Sequence, residues 1–314
     1  RKKREHLAWT ALKKQLAFNR CAPELMHAVL EHRRHRFSSR VSSPLGAYEC
    51  HDILGTGAMG TVYAATERAT GKSVAIKVAS SCPASNEILR EAEYTARIEH
   101  PNVVTVLSYG RDEGAYIVMR RIRGRSLRDV LRSRGRLDAQ QTVRLARGIG
   151  RGLAACHAAG IAHRDLKPEN VMLATSLRHD DPQPTLIDFG VARPLNSAAT
   201  IPMEGTLAYM CREQAFGRPA DIRSDLFSFG CVIWEMLTGQ PPFDDHGNVH
   251  RLSGRSPTLR LPKPIADRLP ASFTSTLFRM LRPDIDARPC SAAAVLEAYK
   301  PHEAPTVFLE QQAA

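Results

Sequence analysis

No stretch of the 314-residue chain approaches the roughly 18 consecutive apolar residues that a membrane-spanning helix requires. The best run, Phe227 to Leu237, is short and interrupted by Glu235, so no transmembrane segment is expected and the chain reads as soluble. Paired cysteine spacing is missing as well. Cys21, Cys50, Cys82, Cys156, Cys211, Cys231 and Cys290 are scattered, odd in number and form no CxxC. That pattern argues against a zinc site or a disulfide framework and fits a reducing cytoplasm. Acidic residues are scarce near the start: residues 1–46 hold eleven Lys/Arg against three Asp/Glu, a net of +8 out of the chain's +12. Such a segment suits a solvated helix surface, or docking to an acidic partner, nucleic acid or membrane. Because the chain opens on Arg1 rather than Met, it is expected to be a piece of something longer.

What is present is otherwise ordinary for a globular protein, with 43% hydrophobic and 24% charged residues. The length suits one large two-lobed unit or two domains. Trp9, Leu12 and Leu16 recur at helical spacing among Lys2, Lys3, Lys13 and Lys14. After Pro23, Leu25, Met26, Val29 and Leu30 form a second apolar face ahead of the run HRRHR. Two short helices are expected, then a Ser, Pro and Gly rich linker up to Gly46.

The densest chemistry lies in HRDLKPEN, His163 to Asn170, between an apolar helix and an apolar strand. Asp165 can accept the proton of an attacking hydroxyl, and Lys167 can neutralise charge on a transferred phosphoryl group. Asn170 can offer an oxygen to magnesium, a hard cation. Upstream, Gly55-Thr-Gly-Ala-Met-Gly60 lets backbone N–H groups approach phosphates with no side chain in the way. A dinucleotide-binding fold uses the same letters but follows them with a helix. Here Thr61 to Ala65 continues as a β-branched strand and turns at Thr70-Gly71 into a second strand, Ser73 to Val78. That second strand carries Lys77, costly to bury unless partnered.

The glycine loop, Val74-Ala-Ile-Lys77, HRDLKPEN, Asp188-Phe189-Gly190, Gly205-Thr206 and DIRSDLFSFG from Asp221 stand in one order along the chain. Over about residues 47–300 this order resembles the eukaryotic-type (Hanks-type) serine/threonine protein kinases, in wording those of bacteria. The resemblance implies an α+β, bilobal protein kinase fold. A small β-rich N-lobe with one main helix would span residues 47–121 and a larger, mostly helical C-lobe residues 122–300, with a basic helical extension and linker over 1–46 and a flexible tail over 301–314. It also implies transfer of the γ-phosphoryl of ATP to Ser/Thr hydroxyls of protein substrates, with magnesium, or manganese, as the metal. Lys167, two residues after Asp165, marks Ser/Thr rather than Tyr specificity in that family.

Residue by residue, the resemblance assigns Asp165 to the acceptor hydroxyl, Lys77 and Lys167 to charge, and Asn170 and Asp188 to the metal. Glu91, nine residues before the phrase His100-Pro-Asn-Val-Val104, would pair with Lys77, with Glu87 and Glu93 as the other candidates. Gly55, Gly57 and Gly60 would cover the phosphates, while Leu54, Val62, Ala75 and Met172 sandwich the adenine. Met119 would limit the pocket's depth, and the Arg120 carbonyl and Ile122 N–H would meet the adenine edge. Arg120-Arg121 stand where the family commonly has an acidic and an aromatic residue. Ser197 and Thr200, with Arg164 as the cation to receive a phosphate, imply autophosphorylation of an activation segment. Phe189 would pack against His163, Asp225 would cap the catalytic loop, and Glu213, in Cys-Arg-Glu where the family reads APE, would form a buried pair with Arg288. Cys211 reads as small-residue packing.

Several local elements are expected on the same basis. Strands should run from Val103 to Tyr109 and Ala115 to Met119, and a short helix from Gly124 to Gly135. A long helix should run from Asp138 to His157 and end at Gly160, and a strand pair, Val171–Leu173 and Thr185–Ile187, should flank a polar insert from Ser176 to Pro184. The short joint SSCPASN implies that the Glu91 helix starts late, and helices over Phe273–Leu281 and Ser291–Tyr299 should close the lobe. An alternative is a pseudokinase acting as a scaffold or docking module, suggested by the altered hinge and the missing APE. A small-molecule kinase would leave the activation segment and the Glu213–Arg288 pairing without explanation.

Overall fold

The computed structural model describes residues 44–299 apart from 58, 80–81, 113, 177–178, 190–192, 195–206, 219–220 and 244–257. The expected N-terminal helices, Gly190, Ser197, Thr200, Gly205, Thr206 and the tail from 301 therefore lie outside the described residues.

A 3-10 turn, Pro44–Ala47, leads into β1 (Tyr48–Gly57), β2 (Gly60–Glu67) and β3 (Ser73–Ala79). The helix α1 (Cys82–Thr95), β4 (Val106–Arg111) and β5 (Ala115–Arg120) follow. The strands form one antiparallel sheet in the order β1-β2-β3-β5-β4. Alternation sorts their side chains between faces. Ala65, Val74, Ile76, Tyr116 and Val118 pack on one face, while Ile117 and Ala115 meet Ile88 and Ala92 of α1 on the other. Lys77 follows Ile76 and so points to the α1 side. Far from starting late, α1 takes up most of SSCPASN in its first turns, and it is the joint that is short. The strand expected from Val103 begins only at Val106; Val103 instead makes an isolated parallel bridge with Leu186.

The second lobe opens with β6 (Gly124–Ser126) and α2 (Leu127–Arg134), so the expected single helix is a strand and a helix. Ser126 explains the break: its side chain accepts from the Asp129 N–H as N-cap, which requires extended backbone. α3 (Ala139–Ala158) is capped by Asp138, and Gly160 beyond it has φ 75°. β7 (Ile161–Ala162), β8 (Val171–Ser176), β9 (His179–Leu186) and β10 (Arg193–Pro194) come next, with β6-β8-β9 as a three-stranded sheet and β10 paired to β7. Most of the polar insert is thus strand. Leu173 pairs with Pro184 and Ala174 with Gln183, because the ladder zips past the point where apolar residues end. α4 (Arg212–Ala215), α5 (Ile222–Thr238), α6 (Lys263–Ala266), α7 (Ala271–Met280) and α8 (Ala292–Ala298) complete the described lobe.

α5 is buried on nearly all sides, from Ser224 to Leu237, as suits a helix with apolar residues all round. Phe227, Phe229, Val232, Ile233 and Met236 anchor the main core with Leu145, Ile149 and Leu153 of α3 and Phe273, Leu277 and Met280 of α7. The glycines of α3 have a packing reason. A Cβ at Gly152 would lie 2.8 Å from the Asn102 carbonyl oxygen and one at Gly148 would overlap Pro184 of β9, so α3 lies directly on the hairpin that carries the loop.

Candidate active site

The two lobes meet at a cavity of about 1730 Å³ lined by Leu54, Gly55, Gly57, Gly60, Val62, Ala75, Lys77, Glu91, Met119, Arg120, Ile122, Arg164, Asp165, Lys167, Asn170, Met172 and Asp188. Glu213, Arg288 and Asp225 sit outside it, around the base of the loop that bears Asp165.

Its roof is the β1–β2 hairpin, paired from Tyr48↔Glu67 to Gly57↔Gly60 with shifts of register between Cys50 and Gly55. A Cβ at Gly55 or Gly57 would meet no protein atom within 4 Å, whereas one at Gly60 would overlap the Val78 carbonyl. Gly60 thus serves strand packing, and the other two leave open space for a group that is not part of the chain. On β3, Lys77 Nζ lies 2.7 Å from Glu91 Oε2 and 2.8 Å from Asp188 Oδ1. Glu93 is exposed and Glu87 half-buried, so α1 turns Glu91 alone fully inward. Burial disfavours the Lys77 charge, but Glu91 and Asp188 outweigh it and hold the ammonium well above its ordinary value. Complete burial outweighs the same attraction at Glu91 and lifts its carboxyl to about 7. The Phe189 N–H donates to Glu91 Oε1 at 3.2 Å, and the Phe189 ring stands 4.7 Å from that of His163.

The floor is the loop from His163 to Asn170. Lys167 Nζ is 2.7 Å from Asp165 Oδ2, and the Asn170 amide donates to the Asp165 carbonyl at 2.8 Å and to its Oδ2 at 3.0 Å. With its nitrogen so engaged, Asn170 has its oxygen left for a cation. A carboxylate and an amide oxygen form a hard donor set, and phosphate oxygens and water would complete the shell of a divalent ion held by Asn170 and Asp188. Backbone strain concentrates here: Arg164 and Asp188 have φ of 65° and 61°, a region that costs an L-residue about 1–2 kcal/mol. Asp225 holds the first in place. Fully buried on α5, it accepts from the His163 N–H at 2.8 Å and the Arg164 N–H at 2.7 Å, with His157 Nε2 at 2.9 Å. Burial raises the Asp225 pKa, but His157 and these donors outweigh it and keep the carboxyl below the usual aspartate range.

Below the loop, Arg288 forms two bonds to Glu213, at 2.6 and 3.1 Å, and Ser224 donates to the same carboxylate at 2.7 Å. Cys211 is wholly buried, and burial with the neighbouring Glu213 pushes its thiol well above the ordinary value, which makes it unreactive. Sequence reasoning missed three contributors. Gln214 donates to the strained Arg164 carbonyl at 2.9 Å, His157 braces Asp225, and Arg128 joins Glu169, Glu235 and Tyr209. None lies in a motif read from the sequence.

Residues 48–299 match the protein kinase domain. The chain belongs to the protein kinase family. Among relatives of this kinase domain, a probable serine/threonine-protein kinase of Corynebacterium efficiens is 36% identical over 212 residues, covering 63% of this chain and 31% of the relative. The serine/threonine-protein kinase Pkn2 of Myxococcus xanthus is 36% identical over 261 residues, with 78% and 31% covered. PknE of Mycobacterium tuberculosis is 33% identical over 252 residues, with 77% and 43% covered. The kinase domain thus spans well under half the length of the curated relatives it matches. Protein kinases as a family use ATP and a divalent metal. Among the described residues, no helix is long and apolar enough to cross a membrane.

Proposed function

We propose that this chain transfers the γ-phosphoryl group of ATP, with magnesium as the metal, to Ser or Thr hydroxyls of protein substrates. One observation carries the reading: Lys77 bridges Glu91 and Asp188 in the same cavity in which Asp165, Lys167 and Asn170 form one bonded cluster. Lys77, fixed by Glu91, is the cation for the ATP phosphates. Asp165 orients the acceptor hydroxyl and takes its proton, and Lys167 beside it offsets charge on the group in flight. Asn170 and Asp188 are the metal's protein ligands. Leu54, Val62, Ala75 and Met172 hold the adenine, Met119 closes the pocket behind it, and Arg120 and Ile122 present backbone groups to its edge. Residues 1–46 supply a docking segment for an acidic partner. Ser197 or Thr200 receives a regulatory phosphate that Arg164 recognises.

The names of the relatives, serine/threonine-protein kinases, support Ser/Thr as the acceptor class. The test is transfer from labelled ATP with magnesium, to the chain itself and to a generic basic protein, with Asp188→Ala as control and sites mapped by mass spectrometry. Transfer to Ser/Thr by the wild type alone is expected. Nucleotide binding without transfer in either protein would overturn the assignment.

A further inference from the structure

From Arg120 to Leu137 the chain carries eight arginines and a single carboxylate, Asp129. This stretch forms the end of β5, the connection to β6, and α2, and it is one margin of the cavity that holds Asp165 and Lys167. Arg121, Arg123, Arg125 and Arg132 line that margin, and the last three are exposed. Arg125 and Arg132 form no ion pair among the described residues; Arg125 donates only to the Asp129 backbone oxygen, at 2.8 Å.

Arg128, in the same row, is already engaged. Its Nε lies 2.8 Å from Glu169 Oε1, and its two terminal nitrogens lie 2.5 Å from Glu235 Oε1 and from the Tyr209 hydroxyl. Tyr209 in turn donates to Glu235. Glu169, four residues after Asp165, and the buried Glu235 thus take their countercharge from inside the chain. A basic side chain arriving beside the acceptor would find those carboxylates occupied, whereas an acidic one would find guanidinium groups with room to bind. A cleft with one sign of charge on its wall concentrates ligands of the other sign, and arginine's fork matches a carboxylate.

We propose that this arginine margin selects the acceptor peptide, so that the preferred substrates are Ser/Thr sites flanked by acidic side chains. The proposal rests on the kinase reading above and adds its substrate class. It is tested on the full chain with peptides that share one Thr acceptor and carry Asp, Ala or Lys flanks. Both kcat/KM for phosphorylation and affinity by fluorescence anisotropy are measured, at low and high salt.

The Asp peptide is expected to exceed the Ala peptide by about tenfold in both, the yield of two or three exposed ion pairs. The excess should shrink as salt shortens the screening length. It should vanish in Arg125→Gln/Arg132→Gln and turn toward the Lys peptide in Arg125→Glu/Arg132→Glu, both variants first checked for an unchanged melting temperature. Equal treatment of the three peptides, a Lys preference in the wild type, or an Asp preference untouched by both double variants would overturn the proposal. Should no peptide be phosphorylated while the Asp peptide still binds the wild type and not the variants, the charged margin stands and the catalytic reading falls.

Discussion

Glu91 meets Lys77 across the first lobe at 2.7 Å, with side-chain exposures of only 5% and 9%. Neither group could be buried alone without a large desolvation cost. Glu91→Gln keeps the shape and removes the charge, and kcat/KM for phosphoryl transfer should fall about 10²-fold, the cost of mispositioning one electrostatic contact. The Glu91 carboxyl, raised to about 7 by burial, adds a pH signature. As pH falls through that value Glu91 gains a proton and loosens its hold on Lys77, so wild-type activity at low ATP should drop on the acid side of neutrality. Glu91→Gln should lack that limb; an acid limb that persists in the variant would assign it to another group.

Asp165 is held by Lys167 and Asn170 rather than by packing alone. Asp165→Asn should reduce transfer by about 10²- to 10⁴-fold, the usual worth of a positioned proton acceptor. Nucleotide affinity should change little, because the role proposed for Asp165 is toward the acceptor hydroxyl and not toward the nucleotide. Parallel losses of rate and of ATP binding, seen by calorimetry, would contradict that division of roles.

Removing one partner of the Glu213–Arg288 pair leaves a buried charge without compensation. Arg288→Met should cost about 3–5 kcal/mol at neutral pH, read from urea unfolding. Burial raises the Glu213 pKa, but Arg288 outweighs it and holds the group below its ordinary 4.5. A depressed folded-state pKa means that the stabilisation is complete above that value and is lost as pH falls below it. The gap between wild type and Glu213→Gln should therefore be widest near neutrality and narrow below about pH 4. A gap independent of pH would show that packing, not charge, holds the site.

Gly152 faces the Asn102 carbonyl too closely for a side chain. Although alanine is the better helix former by up to about 1 kcal/mol, Gly152→Ala should destabilise by about 1–3 kcal/mol through overpacking. A stabilised variant, measured by the same unfolding, would mean that α3 can shift away from Asn102 without loss.

Much of the lobe architecture was legible because its signals are local. β-branched residues around a Thr-Gly turn specify a hairpin, and an aspartate before a helical run specifies an N-cap, each within a few residues of chain. The errors came where long-range pairing overrides local composition. The polar insert became strand because β8 offered it a ladder, and Gly124–Ser126 was drawn into the same sheet. Arg128 looked like one more solvated arginine until α5 and the Tyr209 turn brought Glu235 and Tyr209 to it.

The amino-acid sequence by itself determined which chemical groups this chain owns and in what order, since motifs such as HRDLKPEN work through spacings of two to five residues that backbone geometry alone keeps within reach. Contact between groups far apart in the chain was decided only by tertiary structure. Lys77 reaches Asp188 over 111 residues and Arg128 reaches Glu235 over 107. Such contacts exist because α1 packs on the first sheet, α3 on β9 and α5 on α3 at fixed depth, and that depth depends on the volumes of every side chain between them.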